Sequence, residues 1–242
     1  MADSRTPRFW VFHFFLPLAV FTLLAVLFEV TSLDIDLSSP FYQPPAGWVY
    51  KNSWWASGVI HEGGRKLILM IAVGAVAVWA FSYRVATLRS LRRAALFLLL
   101  SIALGTGIVA LGKNTLDRHC PWDYDIFYGP VPYVRLFEAT PTGYEKGVCF
   151  PAGHASGGFS LMSSYFIFAG RDRRKALGGL LLGLLMGSLF GFGQVARGAH
   201  FVSHNVWTAA VCWFTALGLY AWPFKGRLLP RHTAQRAGAD QE

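Results

Sequence analysis

Apolar residues along this chain collect into six runs of roughly 18–22 positions, each nearly free of charge. They are Phe9–Phe28, Leu67–Tyr83, Ala94–Gly112, Ala152–Gly170, Ala176–Ala196 and Asn205–Phe224. At about 1.5 Å of rise per helical residue, such runs match the ~30 Å hydrocarbon thickness of a bilayer. The third to fifth are the clearest. The first carries His13 and Pro17, and the sixth is most polar at its start. The pattern predicts an all-α fold: a six-transmembrane-helix bundle forming a single membrane-embedded domain over residues 1–242. The first run is too long for the apolar core of a signal peptide, and no small-x-small pattern follows Phe28, so it reads as an uncleaved anchor.

The intervening stretches predict loops on two sides. Residues 30–65 form a long external segment with Pro40, Pro44, Pro45, Trp48, Trp54 and Trp55. Aromatic clusters of this kind sit at headgroup level, which suggests an interfacial stretch with a short amphipathic helix around Trp54. His61-Glu-Gly-Gly-Arg-Lys66 follows at the mouth of the second span. Arg65 is placed there to meet an anion, although the plainer reading of these cations is snorkelling beside a helix start. A second external loop covers 114–151. Short turns at 84–93 and 171–175 and the tail 225–242 lie on the opposite side. Gly178, Gly179, Gly183 and Gly187 give the fifth span the small residues that close helix packing uses.

Composition narrows the class. The chain is 54% hydrophobic and only 14% charged, too little charge to cover a soluble domain of 242 residues. The formal charge of +9 is distributed by topology. Residues 1–8, 84–93, 171–175 and 225–242 hold fourteen of the 22 lysines and arginines, although they are the shorter segments. The positive-inside rule therefore puts both termini in the cytoplasm. Nucleic-acid binding does not fit such a distribution; the bilayer is the expected partner. With that orientation Cys120 and Cys149 share an external loop, where an oxidising compartment favours a disulfide between them, while Cys212 lies inside a span as a packed thiol.

The same topology brings Lys113, His154, Arg197, His200 and His204 to the external ends of spans three to six. Cations and helix N-terminal amides suit an anionic phosphoryl group, and histidine serves as nucleophile or general acid near neutral pH. Positions 197, 200 and 204 are separated by three and four residues, so if helical they share a face.

These residues resemble the type 2 phosphatidic acid phosphatase superfamily, whose motifs are shared with vanadium haloperoxidases. Pro-Ala-Gly-His-Ala-Ser-Gly-Gly-Phe (151–159) is similar to the family's Pro-Ser-Gly-His motif, with Ala152 in place of serine and Gly153 and His154 kept. Lys113 stands eight residues before Pro121, the spacing of the first motif, Lys-x6-Arg-Pro, with Cys120 at the arginine position. The third motif, Ser-Arg-x5-His-x3-Asp, aligns with Gly-Ala-His-Phe-Val-Ser-His (198–204) so that His200 is the nucleophile and His204 replaces the aspartate. Gln194 then occupies the arginine position, and Arg197 lies one turn along. A second register makes His204 the nucleophile; His200 is preferred because its following spacing is intact.

The resemblance implies a membrane phosphatase acting on a lipid phosphate or pyrophosphate without metal or cofactor. His200 would form a phosphohistidine, His154 would protonate the leaving oxygen, and His204 would fix the His200 tautomer. Lys113, Arg197 and the Gly153 amide would bind the phosphoryl oxygens, with Arg118 or Arg65 supplying the cation missing at Cys120. Lipid A, undecaprenyl pyrophosphate, phosphatidylglycerophosphate and phosphatidic acid are the substrate candidates. The implied location is a bacterial inner membrane with the site facing the periplasm. A lipid-to-lipid phosphotransferase and a degenerate lipid-phosphate binder or transporter are the alternatives.

Overall fold

The computed structural model describes residues 6–229. The ends of both expected cytoplasmic tails, 1–5 and 230–242, lie outside the described residues. Helices dominate; β-structure among the described residues is a short hairpin pairing β1 (Tyr42–Gln43) with β2 (Gly47–Trp48), Tyr42 opposite Trp48, and isolated bridges of Arg118 with Val148 and Tyr124 with Val131.

Four helices are long and apolar enough to cross a membrane. They are α1 (Pro7–Val30), α3 (Trp54–Phe81), α4 (Ala86–Thr115) and α6 (Arg173–Ala196). Between the first two sits the short α2 (Leu33–Ser38). Leu23, Met70, Leu111 and Leu185, one on each long helix, are more than 60% exposed. Surfaces of this kind are solvated by lipid rather than water.

The fourth and sixth expected spans fold as helices but do not meet the same criteria of length and composition. The fourth, α5, covers 153–168 as α-helix, one 3-10 turn and α-helix again, a rise of only about 24 Å. The sixth, α7 (Val202–Ala221), is long enough but opens on Ser203, His204 and Asn205. Both are interior. Residues 155–163 of α5 are all buried, and α5 packs against α3, α4, α6 and α7. A helix enclosed by protein needs no apolar coat, so Ser156 and Ser160 turn their hydroxyls onto the backbone carbonyls of Gly153 and Ser156.

The helix boundaries correct the expected loops. The external segment expected over 30–65 becomes helical from Trp54, first as a π-helix to Gly63 and then as an α-helix from Gly64. Ser53 caps it by accepting from the Ala56 N–H. His61 and Arg65 are therefore helical residues. The 84–93 turn is likewise mostly helix, beginning with a 3-10 segment at Ala86.

Close packing of α5 on α6 uses a glycine stripe. A Cβ on Gly183 would lie 2.6 Å from the Met162 Cα, and one on Gly179 2.8 Å from the Ser164 carbonyl carbon, while Gly178 faces open space. Two apolar clusters flank the bundle's polar end. Phe97, Phe166, Trp213 and Tyr220 fill the interior; Trp48, Tyr124, Phe127, Val131 and Phe201 join the two large loops into an aromatic cap.

Candidate functional site

The ends of α4, α5, α6 and α7 meet beneath that cap. Lys113 lies in the last turn of α4, with its stem against Gly153, whose added Cβ would sit 3.9 Å from the lysine Cδ. Lys113 has no hydrogen bond or ion pair to any described residue. Such a partly buried ammonium without a counter-charge is suited to an anionic ligand.

His200 sits in the turn between α6 and α7. Gly198 makes that turn: its φ of +75° is left-handed, and the Trp48 indole lies where a side chain would be. His200 is 4% exposed. Its Nδ1 stands 3.4 Å from Nδ1 of His204. One imidazole can donate and the other accept, leaving Nε2 of His200 free for a reacting atom. The separation exceeds that of an ordinary N–H bond, as is common in unliganded sites. Burial pushes His200 well below its usual 6.5, and the His204 ring and Lys113 push the same way, against a backbone contact to Cys149. The ring is therefore neutral at pH 7, the form a nucleophile needs.

Cys149 closes the far side of this pair. It is joined to Cys120 in a disulfide, and its Sγ lies 3.5 Å from Nδ1 of His200 and 2.7 Å from the Ala199 carbonyl oxygen. An oxidised sulfur carries no proton, so these are packing contacts rather than thiol hydrogen bonds. The bridge ties the 114–151 loop to the histidines.

His154 opens α5. Its Nε2 donates to the Ile60 carbonyl at 3.1 Å, so Nδ1 is the nitrogen left to exchange a proton. It is within electrostatic reach of His200. Its ring packs on His61 with centroids 4.5 Å apart. His61 in turn has Nδ1 3.3 Å from Glu62 Oε1. Sequence reasoning placed His61 among interfacial cations; the early start of α3 is what carries it to His154.

Arg197 donates to the Lys51 carbonyl at 2.9 Å and to Gln194 Oε1 at 3.3 Å, and it lies in electrostatic reach of His154 and His61. Gln194 is 4% exposed and its Nε2 is buried with no partner. An unpaired buried donor costs free energy unless something binds it. Its position was noted from the motif spacing, but its open donor was not.

Two expected phosphate ligands are directed elsewhere. Arg118 donates to the carbonyls of Asp117, Leu136 and Glu138 and to Thr140 Oγ1, clamping the loop. Four of its five N–H donors are engaged this way, and its charge still reaches His204. Arg65 is an exposed side chain paired with Glu62 at 3.6 Å. The carboxylate missing at position 204 is not supplied by Asp34: this buried group of α2 accepts from the N–H and hydroxyl of Ser203 and caps α7.

Beside the histidines, a cavity of about 600 Å³ lies between α4, α7 and the disulfide loop, lined by Ile108, Leu116, Phe137, Phe150 and Trp207 among others. Phe150 links the two, since its ring packs edge-on against His204 at 5.1 Å.

Comparison with known proteins gives one family. The model described as the PAP2 superfamily matches residues 94–228, from within α4 to beyond α7. No curated protein and no solved structure matches the chain.

Proposed function

The chain belongs to the PAP2 superfamily, a group of phosphatases acting on phosphate esters, and from that premise we propose that it hydrolyses a lipid phosphate or pyrophosphate at the external leaflet of a bacterial inner membrane. In this mechanism Nε2 of His200 attacks phosphorus in line, and the bond to the leaving oxygen breaks as Nδ1 of a protonated His154 gives it a proton. Water then attacks the phosphohistidine with His154 as base, freeing phosphate and restoring His200. Lys113, Arg197, the Gly153 amide and the open Nε2 of Gln194 bind the equatorial oxygens. His204 holds the His200 proton on Nδ1. As a neutral ring it fixes the tautomer without the charge an aspartate would add.

The observation that carries the proposal is the buried His200–His204 contact 3.4 Å across, with Lys113 and His154 in electrostatic reach of His200. The lipid nature of the substrate is supported by the largely apolar cavity behind Phe150, which has room for a chain and carries Asp117 and Arg118 in its wall. The test is phosphate release from phosphatidic acid, phosphatidylglycerophosphate, undecaprenyl pyrophosphate and lipid A by purified protein, His200→Ala and His154→Ala. We expect release by wild type on at least one substrate and a loss of about 10³-fold or more in His200→Ala. Equal release by all three proteins refutes the assignment, and lipid-phosphate binding without turnover identifies a binder. Transfer of label to a second lipid identifies a phosphotransferase.

A further inference from the structure

We propose that the Cys120–Cys149 disulfide masks a latent zinc site made by Cys149, His200 and His204. The three side chains are buried, and their ligating atoms all lie within 4.8 Å of one another. Zinc bound at about 2.0–2.1 Å to nitrogen and 2.3 Å to sulfur in a tetrahedron sets edges of about 3.3 Å between nitrogens and about 3.5 Å between nitrogen and sulfur. The Nδ1–Nδ1 separation of His200 and His204 is 3.4 Å, and the separation of Cys149 Sγ from His200 Nδ1 is 3.5 Å. Two edges of a Cys-His-His zinc tetrahedron are thus already built. One thiolate and two imidazoles are also the donor set that borderline-soft zinc prefers.

The bridge keeps this set from binding metal, because a disulfide sulfur has no thiolate to offer. Accessibility decides which sulfur is released on reduction. Cys149 is 0% exposed, whereas Cys120 is half-buried. A dithiol reductant therefore attacks Cys120 Sγ. The S–S bond breaks with its electron pair on Cys149, forming a mixed disulfide on Cys120 that the reductant's second thiol resolves. The sulfur set free as thiolate is the one facing the histidines. Zinc then replaces the proton between the two Nδ1 atoms. The inhibition that follows rests on His200 being the nucleophile, while metal binding itself does not.

The test uses the full-length protein in lipid nanodiscs, without a polyhistidine tag, titrated with cobalt(II) as a spectroscopic stand-in for zinc. Three samples are compared: oxidised wild type, wild type reduced by a tertiary phosphine, and unreduced Cys120→Ser, in which Cys149 is free. Reduced wild type and Cys120→Ser are expected to take up roughly one cobalt per chain with a thiolate-to-cobalt charge-transfer band and tetrahedral d–d absorption. Oxidised wild type should show neither. Cys149→Ser and His204→Ala, both reduced, should lose the signal, and zinc should displace it. Equal uptake by the oxidised protein, no uptake after verified reduction, or a band that survives Cys149→Ser overturns the proposal. Should Cys120→Ser fail to fold, reduced wild type decides alone. The proposed phosphatase activity can fail without affecting any of these outcomes.

Discussion

His200 and Gln194 carry the residue-scale consequences. His200 is held well below its ordinary 6.5 by burial and by neighbouring positive groups. It stays neutral as pH falls through the range where a free imidazole would protonate, so the acid limb it sets in kcat/KM should lie below pH 6.5 rather than at it. The unfolded chain takes up that proton and folded His200 does not, so this residue's contribution to stability is lost as pH falls below 6.5. A pH–rate profile with half-maximal activity above pH 7 on the acid side, absent from other variants, would contradict this role. Gln194→Leu should lower kcat/KM by about 10- to 100-fold by removing one oxyanion donor, and should weaken orthovanadate inhibition in parallel. An unchanged vanadate affinity would remove Gln194 from the phosphate site. His204→Ala should cost about 10²- to 10⁴-fold through loss of the His200 tautomer, and His204→Asp should recover most of that loss.

Helix packing and capping set the element-scale expectations. On α6, Gly183 abuts the backbone of α5 and Gly178 faces open space. Gly183→Ala should therefore force the helices apart and destabilise by about 1–3 kcal/mol, while Gly178→Ala should be neutral or stabilising by up to about 1 kcal/mol. Thermal unfolding in detergent ranks the two, and equal effects would show that the stripe does not set the α5–α6 distance. Asp34, which caps α7, has its carboxyl raised to about 6, chiefly by burial and against the Ser203 hydrogen bonds that lower it. The folded state thus holds a proton that the unfolded state releases between about pH 4 and 6, and stability falls as pH rises through that window. Wild type should gain in Tm relative to Asp34→Asn on going from pH 7 to pH 5, and a pH-independent difference would exclude that titration. The presence of α7 was legible from its apolar run. Its cap was not, because Asp34 and Ser203 are 169 residues apart and no local pattern pairs them.

At the scale of the whole molecule, the charge distribution predicts an orientation. By the positive-inside rule, the fourteen cations gathered on the short segments predict the disulfide loop outside and the 84–93 turn inside. Tyr144 and Arg89 are both exposed side chains. In spheroplasts, a membrane-impermeant maleimide should label Tyr144→Cys and leave Arg89→Cys unlabelled until the membrane is opened. The reverse pattern would invert the molecule, and labelling of both would break the six-span topology.

Local order in the chain was enough for the helical class, four lipid-facing helices and the Lys113, Gly-His and His-x3-His motifs. These depend on apolar periodicity and short spacings, which are properties of neighbours in sequence. It was not enough for the rest. The apolar run of α5 reads as clearly as those of α4 and α6, yet α5 is an interrupted interior helix, and the polar start of α7 likewise reflects a helix surrounded by protein rather than lipid. Arg118 and Arg65 read as stand-ins for the cation missing at Cys120, yet the loop engages four of the five N–H donors of the first, and solvent and Glu62 hold the second. His61 joined His154, and Gln194 kept an open donor, through contacts between helices far apart in the chain. Which of several equivalent cations and imidazoles face one another is set by packing, since burial and hydrogen-bond geometry are decided by groups that are distant in sequence.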